Sequence, residues 1–379
     1  MTAPRILCIS LSPIARDGRV LRQLEVLKAQ GEVTTVGFGP APPGVVEHLS
    51  VPPSPTLPQT VTGVARLALR RYAASEVAAP AMRHALRLIG DRQFDLVVAN
   101  EDRALGLAFA VNHGAPVWAD MHEWAPGERD QLRAWRLLVA PLMDHLCRTY
   151  LPRCDAVTTV SLGIVDEYER VYGVRPELVR NARAWVDLVP TPVSDEGPLR
   201  LVHSGGAEPG RRIDELIDTA RMVPNATLDL YLVPANDGGR HLAELEAHAA
   251  ARPGVTIHPP VPPGELPRAL NDYDVGVFPL APQNFNMEHT LPNKLFDFLQ
   301  ARLAMAVTPN SEMRRFVSEF DLGVVSGDFS AESFAEALCT LTPERVRTLK
   351  ESSHRQARSL SNDTDVATSH AIVERLLGR

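Results

Sequence analysis

At 379 residues, with 45% hydrophobic and 22% charged side chains, the chain is too long for one ordinary core and suits two folded domains. A formal net charge of −7 argues against a general nucleic-acid binder, which needs a basic stripe to displace the counterions of phosphate. Cys8, Cys147, Cys154 and Cys339 form no CxxC pair, so neither a zinc knuckle nor a disulfide framework is indicated, and reduced thiols in a cytoplasm fit best.

In chain order, the first element read is a strand from Ile6 to Ser10, with no basic-then-apolar leader before it. A helical pattern covers Arg19 to Gln30, and strands follow at Val33 to Phe38, Leu96 to Asn100, Val117 to Asp120 and Ala156 to Val160. Between them, VARLALRR at Val64 to Arg71 is amphipathic and cationic. It reads as a solvated helix face, with a weakly membrane-associated interfacial helix as the alternative. A second helical pattern spans Asp130 to Thr149. No apolar run approaches the roughly 20 residues that cross a bilayer.

The connector VDLVPTPVSDEGP, Val186 to Pro198, combines spaced prolines with acids. Strands then restart at Leu199 to His203, Leu228 to Val233, Val255 to His258, Val275 to Pro279, Ala304 to Thr308 and Gly323 to Val325. This alternation predicts an α/β protein made of two doubly wound, Rossmann-like domains, whose ligands lie beyond the carboxyl ends of the strands. The boundaries read are 1–185, a linker at 186–198, and 199–363, with 364–379 a C-terminal helix that can cross back to the first domain. Two such domains facing each other would enclose a cleft.

Two segments carry chemistry. In LRLVHSGGAEPGRRI, Leu199 to Ile213, a buried strand runs into a glycine turn and two arginines. Gly205 and Gly206 let backbone amides approach an anion, and Arg211 or Arg212 supplies a fork for phosphate oxygens. In FNMEHTLPNKLFDFLQA, Phe285 to Ala301, Thr290 and Leu291 precede Pro292, placed at the first helical position. The loop thereby offers free amides to an anion as the helix begins. Lys294 and Asp297 share one helical face, the lysine suited to phosphate and the carboxylate to the hydroxyls of a ribose. Either segment alone also reads as an ordinary helix start.

With these residues in place the chain resembles the retaining GT-B glycosyltransferases, which transfer sugars from nucleotide donors. DGRVLRQLEVLKAQGEVTTVGF near the start is similar to that group's D-x-R-V-x-R helix and following strand, and ADMHEW at 119–124 to its D-x-H-E turn. ELVRNA at 177–182, SGGAEPGRR and LPNKLFDFLQA complete the series. The likeness covers nearly the whole chain and is weakest between Pro40 and Arg92.

What the resemblance implies is a nucleotide-sugar donor, UDP-linked by expectation, held by Gly205, Gly206, Arg211, His289, Thr290, Leu291, Asn293, Lys294 and Asp297. Arg211 and Lys294 would face the diphosphate, and Asp297, matching the second acid of the group's E-x7-E pattern, the ribose. Gly206 stands where the group often has another basic residue. His289 occupies the position of the first acid, so Glu288, or the loop amides of Asn286 to Leu291, would contact the sugar.

His122 resembles the histidine placed beside the donor sugar. Asp17, Arg19, Glu123 and Trp124 are candidates for acceptor contact, with helix capping equally open for Asp17 and Arg19. Trp124 and Trp135 can either stack on a ligand or pack internally. The expected reaction is metal-independent, needs no cofactor and uses a hydroxyl of a small-molecule or glycan acceptor. A non-hydrolysing nucleotide-sugar epimerase and a binding protein without turnover are the rivals.

Overall fold

β-Branched runs form strands here because they pack on a pleat buried on both faces. The computed structural model, which describes residues 3–378, has a strand at every run read from the sequence. The chain divides into two compact units: one takes the residues up to 180, residues 283–286 and those from 365 onward, and the other residues 181–282 and 287–364.

In the first unit the strands are β1 (Arg5–Pro13), β2 (Glu32–Phe38), β3 (Glu47–Val51), β4 (Leu96–Asn100), β5 (Val117–Met121), β6 (Ala156–Thr159) and β7 (Glu177–Leu178). They form a parallel sheet in the order β3-β2-β1-β4-β5-β6-β7. Alternate residues of β1 and β4 feed opposite faces: Leu7, Ile9, Val97 and Ala99 enter one apolar core, and Ile6, Cys8, Leu96 and Val98 another. The last helix, Asn362–Leu376, sends Ile372 and Val373 into the second of these cores.

The second unit holds β8 (Leu199–Gly206), β9 (Ala226–Val233), β10 (Val255–His258), β11 (Val275–Phe278), β12 (Ala304–Val307) and β13 (Gly323–Val325). All are parallel, in the order β10-β9-β8-β11-β12-β13. In each sheet the strand order reverses once, between β1 and β4 and between β8 and β11. Doubly wound sheets bind ligands at such points.

Two local expectations shift. The helix read over Asp130 to Thr149 is present from residue 133 to Tyr150, with a π segment at Trp135–Val139 that runs unbroken into the helix Ala140–Tyr150. Pro141 explains the π segment, because proline lacks the N–H that a helix interior requires. Pro292 is the residue capping the helix Asn293–Gln300 rather than its first member, and no side chain caps that end. The edge strands β3 and β7 were not read from sequence, since EHLSV and EL carry little apolar pattern.

Candidate active site

At the carboxyl end of β8 the backbone turns through Gly205, at φ +155°. A Cβ there would stand 2.3 Å from Cε of Lys294, so the lysine stem lies across this glycine and only glycine leaves it room. Lys294 Nζ sits 5.4 Å from the centroid of the Phe278 ring at the end of β11. Burial, with the charge of Arg211 next in weight, pulls the Lys294 ammonium down to about 8. The first helical turn thus brings Lys294 to the glycine turn, and Arg211, exposed on the one-turn helix Pro209–Arg211, lies within electrostatic reach.

His203 belongs to the same cluster and was not singled out from the sequence. Its ring stacks on Phe278 at 5.9 Å and 5°, and its Nδ1 lies 2.9 Å from the Val277 carbonyl, which makes Nδ1 the protonated nitrogen. Burial, and then the charge of Lys294, lowers the imidazole to about 4. A neutral ring with an open Nε2 follows at physiological pH. A histidine directly after the apolar pair Leu201-Val202 in the strand LRLVHSGG was the available signal. Ser204 beside it has a buried Oγ with no hydrogen-bond partner.

Asp297 is 3% exposed and its carboxylate accepts from Arg183 Nε. Burial pushes its carboxyl up against the lowering influence of that guanidinium. Oδ1 is therefore engaged by Arg183, another residue missed in the sequence. Glu288 is also engaged: it accepts from the Ser311 backbone N–H at 3.1 Å and from the Ser311 hydroxyl at 2.5 Å, capping the helix Ser311–Glu319. Its Oε1 thus satisfies the first amide of that helix.

The loop expected to present amides from Asn286 onward begins instead with a helical turn, Phe285–Glu288. Asn286 is buried and holds the backbone of Trp124 in both directions, at 2.8 Å to its N–H and 3.0 Å to its carbonyl. His289, Thr290 and Leu291 are half-buried between that turn and the helix Asn293–Gln300, whose first residue is exposed.

In the first unit, His122 follows β5. Its Nε2 is 3.1 Å from Asn100 Oδ1 and 3.5 Å from Asp120 Oδ2, both acceptors, so Nε2 carries the proton. Nδ1 lies 3.5 Å from Glu101 Oε1. Glu101 itself sits at φ +66°, an uncommon conformation for a side-chain-bearing residue and one concentrated at functional positions.

Beneath His122, Asp120 is 2% exposed. It receives Arg19 in two bonds of 2.9 and 2.6 Å and Thr158 at 2.7 Å. Burial alone would raise the Asp120 carboxyl, but the Arg19 guanidinium and His122 hold it well below the usual carboxylate range. Arg19, 8% exposed, also donates to the Val179 carbonyl at 2.8 Å. It is thus an internal anchor for Asp120, which corrects its acceptor assignment. Asp17 caps the helix Gly18–Gln30 through the Arg19 and Val20 amides, the capping alternative left open above.

Trp124 is likewise internal at 8% exposure, packed on Tyr168 and Tyr172 at centroid distances of 4.9 and 5.3 Å. Trp135 is buried with its indole N–H on the Pro126 carbonyl at 3.0 Å. Neither is free to stack on a ligand.

Around His122 the charge is negative. Glu101, Asp102, Glu123 and Glu128 line one small recess with His122, and Arg103, ion-paired to Glu128, is the cation among them. Burial raises the Asp102 carboxyl to about 7 and the Glu123 carboxyl to about 8, the latter helped by the neighbouring acids. Asp102 Oδ2 is buried with no hydrogen-bond partner. The consecutive Glu101-Asp102 after β4 was the sequence signal for this part.

With this geometry in view, comparison places the chain. Residues 19–188, somewhat under half of it, match the family model described as Glycosyltransferase Family 4. No curated protein sequence matches the chain. Sucrose-phosphate synthase from Thermosynechococcus elongatus superposes with a TM-score of 0.71 at 14% identity, over 99% of each chain. HepE from Anabaena, solved in complex with UDP and glucose, gives 0.66 at 14% identity over 99% of each. WaaG, described as a glycosyltransferase involved in lipopolysaccharide biosynthesis, gives 0.62 at 14% identity over 97% of this chain and 99% of its own. At such identities the likeness shows the fold, which is GT-B with two Rossmann-like units. The family domain in the first unit makes the chain a glycosyltransferase.

Proposed function

We propose that the enzyme transfers a sugar from a UDP-sugar to a hydroxyl of a small-molecule or glycan acceptor, with retention at the anomeric carbon and no metal. The observation that carries this reading is Lys294 lying across Gly205, with Arg211 close enough to lower its ammonium. Two cations, one of them partly dehydrated, suit a diphosphate whose negative charge grows as the glycosidic bond breaks. Solved relatives carrying UDP in their descriptions support the choice of nucleotide.

In this reading the bond from the anomeric carbon to the β-phosphate oxygen breaks and the electron pair leaves with UDP. The acceptor oxygen bonds the same face of that carbon, and its proton passes to the departing phosphate. Lys294 and Arg211 hold the phosphate charge by ionic hydrogen bonds. The neutral His203 would face them as a hydrogen-bond acceptor. His122 Nδ1 accepts from a sugar hydroxyl, with Asp120 and Asn100 fixing its tautomer. Glu123, and Asp102 next to it, are positioned for acceptor hydroxyls. Gly206, Thr290, Leu291 and Asn293 supply backbone amides, and Asp297 acts through Arg183.

A binding protein without turnover is the second reading, favoured by the engagement of both Glu288 and Asp297 within the unit. A panel of UDP- and GDP-sugars, followed by nucleotide release with and without acceptor extracts, separates the two. Release above background with a UDP-sugar supports the transferase. Tight UDP binding without release for any donor supports the binding protein.

A further inference from the structure

The cationic segment at Val64 to Arg71 takes no part in the site described. In the fold, the helix Val61–Ala68 packs beside the π-turn Trp135–Val139. This joins two stretches, 61–75 and 131–143, that contain no Asp or Glu at all. Between them they expose Arg66, Arg70, Arg71, Arg133 and Arg136, while the chain as a whole carries −7. None of these five has a carboxylate partner; Arg66 reaches only the Ala74 carbonyl, at 3.4 Å.

The same surface exposes large apolar side chains. Val61 is 89% exposed, Leu69 70%, Leu132 50% and Leu137 74%. The helix turns only Gly63 and Leu67 inward. Exposed leucines scattered singly mean little, but four exposed apolar groups and five exposed arginines on two neighbouring segments give this side of the unit a single character.

We propose that this face of the first unit docks on an anionic phospholipid surface, the arginines meeting headgroup phosphates and Val61, Leu69, Leu132 and Leu137 entering the acyl boundary. A membrane supplies both halves of this pattern at once: negative charge in a plane and an apolar layer just beneath it. A second copy of the chain is disfavoured, because the patch would meet five arginines of its own kind. A nucleic acid would satisfy the arginines yet leave the leucines in water. No helix of the described residues is long and apolar enough to cross a membrane, so the contact is interfacial.

Co-sedimentation of the full chain with phosphatidylcholine vesicles containing about 30% phosphatidylglycerol, against pure phosphatidylcholine, tests this. Binding to the anionic vesicles alone is expected, weakening as salt rises from ~0.1 to ~0.5 M. Each arginine near such a surface contributes roughly a fivefold change in partition. Arg66→Glu with Arg70→Glu should therefore abolish sedimentation, and Leu69→Ser with Leu137→Ser should weaken it at unchanged charge. Arg221→Glu with Arg240→Glu, the same charge change in the other unit, should leave it intact. UDP affinity, measured on every variant, reports folding and the donor site independently.

Absence of sedimentation with anionic vesicles at low salt would overturn the proposal. So would equal loss in the control pair, which would show a mere net-charge effect. Leucine variants that sediment normally, from a chain that also retards RNA, would assign the patch to a polyanion instead.

Discussion

The strand ends of the two units carry opposite electrical characters. Beyond β8 and β11 stand the cations Lys294 and Arg211 and the histidine His203; burial and then Arg211 pull Lys294 down, and burial and then Lys294 pull His203 down. Beyond β4 and β5 stand the acids Asp102 and Glu123, pushed up by burial and by their neighbours. The same physical cause, charge held out of water without enough opposite charge, acts with opposite sign in the two places. In the proposed reading the first region takes an anion and the second groups that donate hydrogen bonds.

The largest effects expected on this contrast come from substitutions at the cationic strand end, Gly205→Ala at the turn itself among them. The added methyl must displace Lys294, and loss of an ionic contact to phosphate should weaken UDP binding roughly 10- to 100-fold by calorimetry. Arg211→Ala and Lys294→Ala should each lower kcat by about 100-fold or more with the circular dichroism spectrum unchanged. Variants that keep normal rates would remove the cationic half of the comparison.

The Lys294→Met variant sharpens it further. With Lys294 at about 8 in the free protein, below its unfolded value, the buried ammonium costs stability at neutral pH, and that cost fades as pH rises through 8. Lys294→Met should accordingly raise the Tm of the free protein by a few degrees near pH 7 while losing UDP. An unchanged or lower Tm would mean that the ammonium is better solvated than its surroundings indicate.

The acidic region gives the smallest and oppositely signed effect. Asp102 and Glu123 have folded values of about 7 and 8, above their unfolded values, so the folded chain binds more protons through this window. The associated stability is present in acid and lost as pH rises toward 8. Asp102→Asn and Glu123→Gln should each raise Tm on the order of a degree or more, and more at pH 8 than at pH 5. Equal Tm changes at the two pH values would show that these carboxyls titrate normally.

The fold was legible because buried parallel strands announce themselves as β-branched runs; Leu96–Asn100, Val255–His258 and Gly323–Val325 fall where the pattern puts them. Backbone-driven parts of the site were legible too, since Gly205 and the helix start at Lys294 follow from local chemistry. What sequence did not reveal were long-range partners. Nothing adjacent to Asp297 announces Arg183, nothing near Glu288 announces Ser311, and only the folded β5 shows that Arg19 is committed to Asp120. Trp124 misled for a related reason: an aromatic after a strand looks available until Tyr168 and Tyr172 close over it.

The most direct test is the proton balance of UDP binding. Calorimetric titrations in buffers of different ionisation enthalpy, run between about pH 7.5 and 8.5 where the diphosphate is ionised and the uracil N3–H is not, read the protons taken up on binding. If a diphosphate settles against Lys294, the ammonium is restored and more than half a proton should be absorbed at the upper end, with affinity falling as pH rises; Lys294→Met should abolish the uptake. Tight UDP binding with no proton uptake at any of these pH values would contradict the account.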